Sequence, residues 1–286
     1  MKIFICGGAG QLASEFADFF KTHHPEDAVR APTYEELDVT KSKEVQAEIA
    51  DFRPDLVINT AAYHKVDECE TQIERTFLVN AFGGFVVANA AREAGAKSMY
   101  ISTGFVFDGS KSVPYEESDS PNPLSIYAHS KALAEKLILA CDPAAWIVRT
   151  NGLFGRFSGK HTKGGAGNFI DFVLTKAQSG EDLDMVADQR ITPTFTADLV
   201  PACVALALEQ APGGIYHLTN SGETSWFEVA KKIYEIAGAE GTVRPITSEQ
   251  RNAPARRPKN ALLTNTKRPV LPRWEDALTR YLAGRL

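Results

Sequence analysis

Tyr127 and Lys131 stand four residues apart in Tyr127-Ala128-His129-Ser130-Lys131, a spacing that puts a phenol and an ammonium on one face of a helix. Ser102-Thr103 ends a β-rich run, with Thr103 24 residues before the tyrosine, at the strand edge where open α/β sheets bind ligands. Phenol, cation and hydroxyl converging on one carbonyl form a proton-transfer site. In it Tyr127 would deliver or remove a proton, Lys131 would lower the pKa of Tyr127 and hold a nicotinamide ribose, and Thr103 would hydrogen-bond the reacting oxygen. Alone the Tyr-Lys spacing means little among eight tyrosines. Its weight comes from the hydroxyl pair at the strand end.

A dinucleotide site is expected at the N-terminus. The first strand runs into Gly7-Gly8-Ala9-Gly10-Gln11-Leu12-Ala13 and then a helix, the context that a phosphate loop requires. Gly7 permits the tight turn, Gly10 lets backbone approach a pyrophosphate at the helix N-terminus, and Ala13 allows close helix packing. Gln11 and Leu12 follow at the cofactor's edge. Where the second strand should end, an NAD site would offer a carboxylate, and this chain offers Arg30-Ala31-Pro32-Thr33. That favours NADPH, with Arg30 or Thr33 meeting a 2′-phosphate and NADH left open. Asp38 and Val39 are expected near the adenine, and Ala61, Ala62 and Tyr63 close the third strand with small residues beside the cofactor.

The elements that must position these groups are legible from periodicity. Strands are expected at Ile3 to Cys6, Ala28 to Arg30, Asp55 to Asn59, Lys97 to Ser102 and Trp146 to Arg149, alternating with helical stretches, as in parallel βαβ units. Three apolar stripes at helical spacing read as core: Leu12, Phe16, Phe19 and Phe20; Val45, Ile49 and Phe52; and Leu78, Phe82, Phe85 and Val86. The fold class is α/β, a doubly wound parallel sheet with a smaller mixed C-terminal part for substrate. Residues 1–155 would form the dinucleotide-binding domain, rejoined by parts of 185–220, and 156–286 mainly the substrate region. Gly155 to Gly165 reads as an exposed mobile loop. Beyond it, helices are expected near Asn168 to Ala177, from Ala197 and after the capping box Ser225-x-x-Glu228, with a strand at Ile215 to Thr219. Arg244 to Arg273 holds eight basic residues, one acidic and five prolines, and reads equally as a solvated loop or an anion site.

Composition narrows the classes. In 286 residues, 44% are hydrophobic and 23% charged, and no apolar run approaches the ~18 residues of a membrane span. The seven N-terminal residues are too short for a signal peptide's apolar region, so a cytoplasmic location is expected. Cysteines 6, 69, 141 and 203 show no C-x-x-C, and the six histidines no H-E-x-x-H, so neither disulfides nor a zinc mechanism is suggested. A net charge of −5 argues against a dedicated nucleic-acid binder.

The glycine-rich start, the Tyr-x-x-x-Lys pair and the strand-end Ser-Thr resemble the extended short-chain dehydrogenase/reductases. Further motifs resemble the dTDP-4-dehydrorhamnose reductases within that group. These are Gly10-Gln11-Leu12, Asn59 to Tyr63 with Val66-Asp67, Val79-Asn80-Ala81, Ser102-Thr103 with Val106-Phe107-Asp108-Gly109, Asp188-Gln189, and Arg257-Pro258-x-Asn260. The matches run in order over nearly the whole chain. The resemblance implies a Rossmann fold and NADPH-dependent reduction of the 4-keto group of a thymidine-diphosphate 6-deoxy sugar. It also implies substrate contacts from Ser102, Thr103, Gly104, Asn168, Arg257 and Asn260, with a homodimer possible. In the family an acidic cluster such as Glu15 and Asp18 can hold a divalent ion at a dimer contact; here both read as surface charges, and no metal is expected.

Two positions depart from that pattern. Gly104-Phe105 replaces the Asp-Tyr that follows the strand-end Thr, and Gly152 in Arg149-Thr150-Asn151-Gly152 replaces a Trp that flanks the sugar. Both alter the sugar pocket and leave the hydride and proton chemistry intact. A 4,6-dehydratase needs an acidic pair beside the Thr that Gly104-Phe105 does not supply. A 4-epimerase would retain NAD. A non-catalytic NADP-binding regulatory subunit would share the fold, so reductase, other nucleotide-sugar enzyme and binder remain alternatives.

Overall fold

The computed structural model describes residues 1–157 and 167–285. Residues 158–166, the greater part of the loop expected between Gly155 and Gly165, lie outside them.

Six parallel strands form the central sheet: β1 (Lys2–Cys6), β2 (Ala28–Arg30), β3 (Leu56–Asn59), β4 (Lys97–Thr103), β5 (Trp146–Thr150) and, later in the chain, Gly214–His217, in the order β2-β1-β3-β4-β5 and then Gly214–His217. The chain steps outward from β1 to β2 and crosses back to β3 on the other side of β1. That reversal opens a crevice at the carboxyl ends of β1 and β3, where doubly wound sheets take their ligands.

Alternation along each strand divides the apolar residues between two covering layers. Ile3, Ile5, Leu56, Ile58 and Val148 pack against α1 (Gln11–His23) and a helix at Thr196–Leu208, through Leu12, Phe16, Phe20, Leu199 and Val200. Phe4, Cys6 and Val57 face the opposite layer, with Val45 and Ile49 of α2 (Ser42–Phe52) and Val87 and Ala91 of a helix at Gly83–Glu93. Both faces are covered, so β3 is continuously apolar up to Asn59.

Two short helices, α3 (Val66–Cys69) and α4 (Ile73–Phe77), lead through a π-helical turn at Leu78–Phe82 into α5 (Gly83–Glu93). Here the expected core stripe is corrected. Leu78 and Phe82 are exposed, while Ala81, Val87, Ala88, Ala90 and Ala91 are buried. The wide turn carries one extra residue and rotates the apolar stripe outward. Small residues face inward because the contact is close: a Cβ on Gly84 would lie 2.9 Å from the Tyr100 ring.

After α6 (Ile126–Cys141) and β5, a separate core gathers Phe154, Ile170, Val173, Phe195, Ile233, Trp274, Leu278 and Tyr281. The elements of this part are β6 (Leu153–Phe154), α7 (Phe169–Gln178), β7 (Leu183–Val186), β8 (Thr194–Phe195), α8 (Thr196–Leu208), β9 (Gly214–His217), α9 (Trp226–Ala237), β10 (Val243–Ile246), α10 (Ser248–Arg251) and α11 (Trp274–Leu282), of which α8 and β9 return to the central sheet. β7 pairs with β10, and β6 with β8, in two small parallel ladders. At the start of α9 the Ser225 hydroxyl accepts the Glu228 N–H, as the sequence suggested. A full reciprocal capping box starts α7 instead, between Asn168 and Asp171.

Four of the eight basic residues of the stretch 244–273 are held in ion pairs. Arg244 pairs with Asp182, Arg257 with Asp67, Arg268 with Glu209 and Arg273 with Glu275. No helix of the described residues is long and apolar enough to cross a membrane.

Candidate active site

A cavity of about 530 Å³ opens at the carboxyl edge of the sheet. Gly10, Gln11 and Leu12 line it from the first βα turn, Thr60 and Ala62 from the end of β3, Thr103 from the end of β4, and Tyr127 and Lys131 from α6. Three separate strand-to-helix connections thus bring the expected groups to one space.

The glycine loop fits a pyrophosphate. Gly10 caps α1 with its own N–H bonded to the Gly7 carbonyl at 2.8 Å, and no side chain closes the helix N-terminus. Its first amide groups therefore point at the cavity with the positive end of the dipole. Gly7 adopts φ +85, with Ala61 3.1 Å from where its Cβ would lie. The tightest approach is at Gly8, for which the sequence suggested no role. A Cβ there would lie 2.1 Å from the Ala31 carbonyl oxygen, and the Gly8 N–H donates to the Pro32 carbonyl at 2.8 Å. Adjacent glycines were the only signal for it.

On α6 the Tyr-Lys pair is held from both ends. Glu70 accepts the Ile126 N–H at 2.8 Å and Ser125 accepts that of Ala128 at 3.3 Å, closing the helix start. One turn on, the Lys131 ammonium donates to the Ile101 carbonyl at 2.6 Å and lies 4.0 Å from the centre of the Tyr100 ring. Burial pushes it down to about 7, against the pull of Glu135. Burial likewise pushes the Tyr127 phenol well up, Cys69 adds to the shift, and a hydrogen bond with Thr103 opposes it. Lys131 was expected to lower this pKa, and the shift runs the other way because burial outweighs any help from an ammonium that is itself desolvated, so the phenol keeps its proton at neutral pH. Thr103 Oγ1 accepts the Phe105 N–H at 3.1 Å, leaving the hydroxyl proton to donate.

Behind the cavity runs a buried polar chain. Ser102 lines the space, but its hydroxyl donates to Glu135 and is turned away from a ligand. Arg149 grips the same carboxylate with two bonds, at 3.0 and 2.6 Å, and is fully buried. His217 Nε2 lies 3.4 Å from Arg149, and its Nδ1 lies 3.1 Å from the carbonyls of Tyr115 and Thr264. Burial, then the Arg149 charge, pushes His217 down to about 4, so it is neutral.

Several residues expected at the site have other occupations. Arg30 lies beside Glu36 and Glu48, at 3.5 and 3.8 Å, and the Thr33 N–H donates to Glu36. Asp38 accepts from the amide and hydroxyl of Thr40, and Val39 is buried core. Ala61 donates to Asn59 Oδ1, while Tyr63 is tied through its amide to Asn80 and through its hydroxyl to Glu68. Gly104 gives its N–H to Asn151 at 3.1 Å. Arg257 forms a bidentate pair with Asp67, at 2.9 and 3.1 Å, because the folded chain lays its segment over α3. Asn260, 2% exposed, clips the carbonyls of Lys111 and Val113. Asn168 does reach the cavity, where its amide donates to Gln11 at 3.2 Å and to the Tyr281 hydroxyl at 2.9 Å. Glu15 is not a surface charge: it is 2% exposed and accepts from Arg156 and Thr196.

Phe105 and Asn151, from the two departing motifs, also line the cavity, and His64, Phe169 and Trp226 came only with the fold. Buried Asn80, in the π-helical turn, also joins the Tyr63 backbone to the Ser130 hydroxyl at 3.0 Å. Among the described residues no carboxylate lines the cavity.

A doubly wound parallel sheet with a glycine loop, a strand-end threonine and a Tyr-Lys helix at one crevice defines a Rossmann-fold oxidoreductase. The chain belongs to the family described as the RmlD substrate binding domain, which matches residues 1–285. It is 33% identical to the spore coat polysaccharide biosynthesis protein SpsK of Bacillus subtilis, over 99% of this chain and 98% of the relative. A probable dTDP-4,6-dihydroxy-2-methyloxan-3-one 4-ketoreductase of Streptomyces antibioticus is also 33% identical, with 97% and 93% covered. The crystal structure of dTDP-4-dehydrorhamnose reductase from Bacillus anthracis strain Ames in complex with NADP superposes with a TM-score of 0.91 at 32% identity, covering 99% of each chain.

Proposed function

We propose that this protein reduces the 4-keto group of dTDP-4-dehydrorhamnose to give dTDP-L-rhamnose, with NADPH as the reductant. The observation that carries the reading is the single cavity shared by Gly10, Thr103, Tyr127 and Lys131 with no carboxylate on its described lining. A 4,6-dehydratase needs acidic groups at the sugar, and they are absent from that lining. When bound, NADPH supplies the hydride to the carbonyl carbon. The N-terminal amides of α1 hold its pyrophosphate, and Lys131 binds the nicotinamide ribose. Thr103 donates a hydrogen bond to the oxygen as charge builds on it, and Tyr127 delivers its phenolic proton there. Burial keeps that phenol protonated until the oxyanion forms.

The test is loss of NADPH absorbance with dTDP-4-dehydrorhamnose made in place by preceding enzymes. Turnover is expected, and Tyr127→Phe should lower kcat about a hundredfold or more while NADPH affinity is nearly unchanged. Tight NADPH binding without turnover would assign the chain to another keto sugar or to a binding role. Wild-type turnover in Tyr127→Phe would remove that residue from the mechanism.

A further inference from the structure

Asn151 and Gly152, which connect β5 to β6, shape one end of the cavity through what packs over them. Asn151 lies across Gly104: a Cβ at Gly104 would lie 2.6 Å from the Asn151 amide nitrogen. That amide accepts the Gly104 N–H at 3.1 Å and donates to the Ala261 carbonyl at 2.6 Å. At the next residue the backbone is left-handed, with φ +52 at Gly152. A Cβ there would lie 3.0 Å from the Trp226 ring and 3.2 Å from Pro193 Cα. The missing side chain is therefore the space that an indole from a distant element occupies.

Trp226 is the first residue of α9, fixed in direction by the Ser225 cap. Its ring packs against Phe169, with centroids 4.4 Å apart and planes inclined at 58°. Both rings line the cavity, as does Phe105. This end thus presents aromatic faces beside the Asn151 amide, with no carboxylate among the described lining residues. Against the two rings a methyl group or a C–H face would gain burial, whereas a hydroxyl would exchange water for an aromatic face.

We propose that Trp226, accommodated by Gly152, is the specificity-determining residue that fits the sugar end of the cavity to a 6-deoxyhexose and against its 6-hydroxylated counterpart. The assignment rests on the reductase reading and deepens it. The indole offers its face to the methyl-bearing side of the ring, and Phe169 holds the indole in place.

Equilibrium binding to the NADP⁺-loaded protein tests this, with dTDP-6-deoxyglucose, dTDP-glucose and bare dTDP as probes. The two sugars differ only in the oxygen at C6. Wild type should prefer the deoxy sugar by about tenfold or more. Trp226→Ala should reduce that preference to within about twofold while leaving dTDP affinity unchanged, and Trp226→Phe should retain part of it. Should Trp226→Ala fail to fold by circular dichroism, Gly152→Ala takes its place: the added methyl meets the ring and should also weaken the preference. An undiminished preference in the folded variants, or none in wild type, overturns the assignment. A wild-type preference lost in the variants, without turnover of dTDP-4-dehydrorhamnose, would sink the reductase reading and leave the Trp226 assignment standing.

Discussion

Lys131 makes folding stability depend on pH in a direction opposite to that of a paired surface lysine. The side chain is 2% exposed, and burial lowers its pKa from 10.5 to about 7. Below pH 7 the folded protein bears a desolvated ammonium and the full penalty. Between about 7 and 10.5 the unfolded chain still holds the proton that the native state has released, so stability rises with pH. From pH 7.5 to 9.5 the difference in bound protons is close to one, which amounts to about 2 kcal/mol in favour of the native state. Lys131→Met removes this titration while keeping the length of the side chain. Urea unfolding of both proteins at the two pH values isolates the effect, since every other group cancels in the double difference. Wild type should gain about 2 kcal/mol relative to the variant at the higher pH. Equal pH dependence in the two would refute the claim that burial of Lys131 governs its charge.

Glu135→Gln strips the counter-charge from a fully buried guanidinium and should cost about 3 kcal/mol, read as a lowered Tm; an unchanged Tm would mean that Arg149 is satisfied without it. In Gly8→Ala the new methyl would strike the Ala31 carbonyl, so the loop must shift. The Kd for NADPH should rise about tenfold, with overall stability less affected, and equal affinity would show that the loop's approach does not set cofactor binding. Arg257→Ala breaks the half-exposed pair with Asp67 and should destabilise the fold by about 1 kcal/mol while dTDP-sugar affinity stays within about twofold. A large loss of that affinity would restore Arg257 to the site.

Local spacing made much of this protein legible. The strand, glycine turn and helix at the N-terminus, and the phenol and ammonium one helical turn apart, are relations among neighbours that backbone geometry fixes wherever the segment packs. Apolar periodicity predicted the five early strands for the same reason, and the doubly wound sheet follows from their alternation with helices. It failed at Leu78 and Phe82, because a single π-helical turn rotates a stripe without changing its composition. The basic stretch shows another limit: charge is countable along the chain, but the carboxylate that meets Arg257 is Asp67, 190 residues away.

The shape of the sugar end belonged to tertiary structure. Gly104 and Gly152 stand out in the sequence as missing side chains, and nothing nearby in the chain says what replaces them. Asn151 covers the first only because β5 lies beside β4, and Trp226 covers the second only because α9 packs against α7. An absent Cβ is a local property, whereas the occupant of its space is decided by every element that the core draws together. The sequence by itself thus determined the phenol, ammonium and hydroxyl that one cavity gathers, and the packing of distant segments decided the surface beside them.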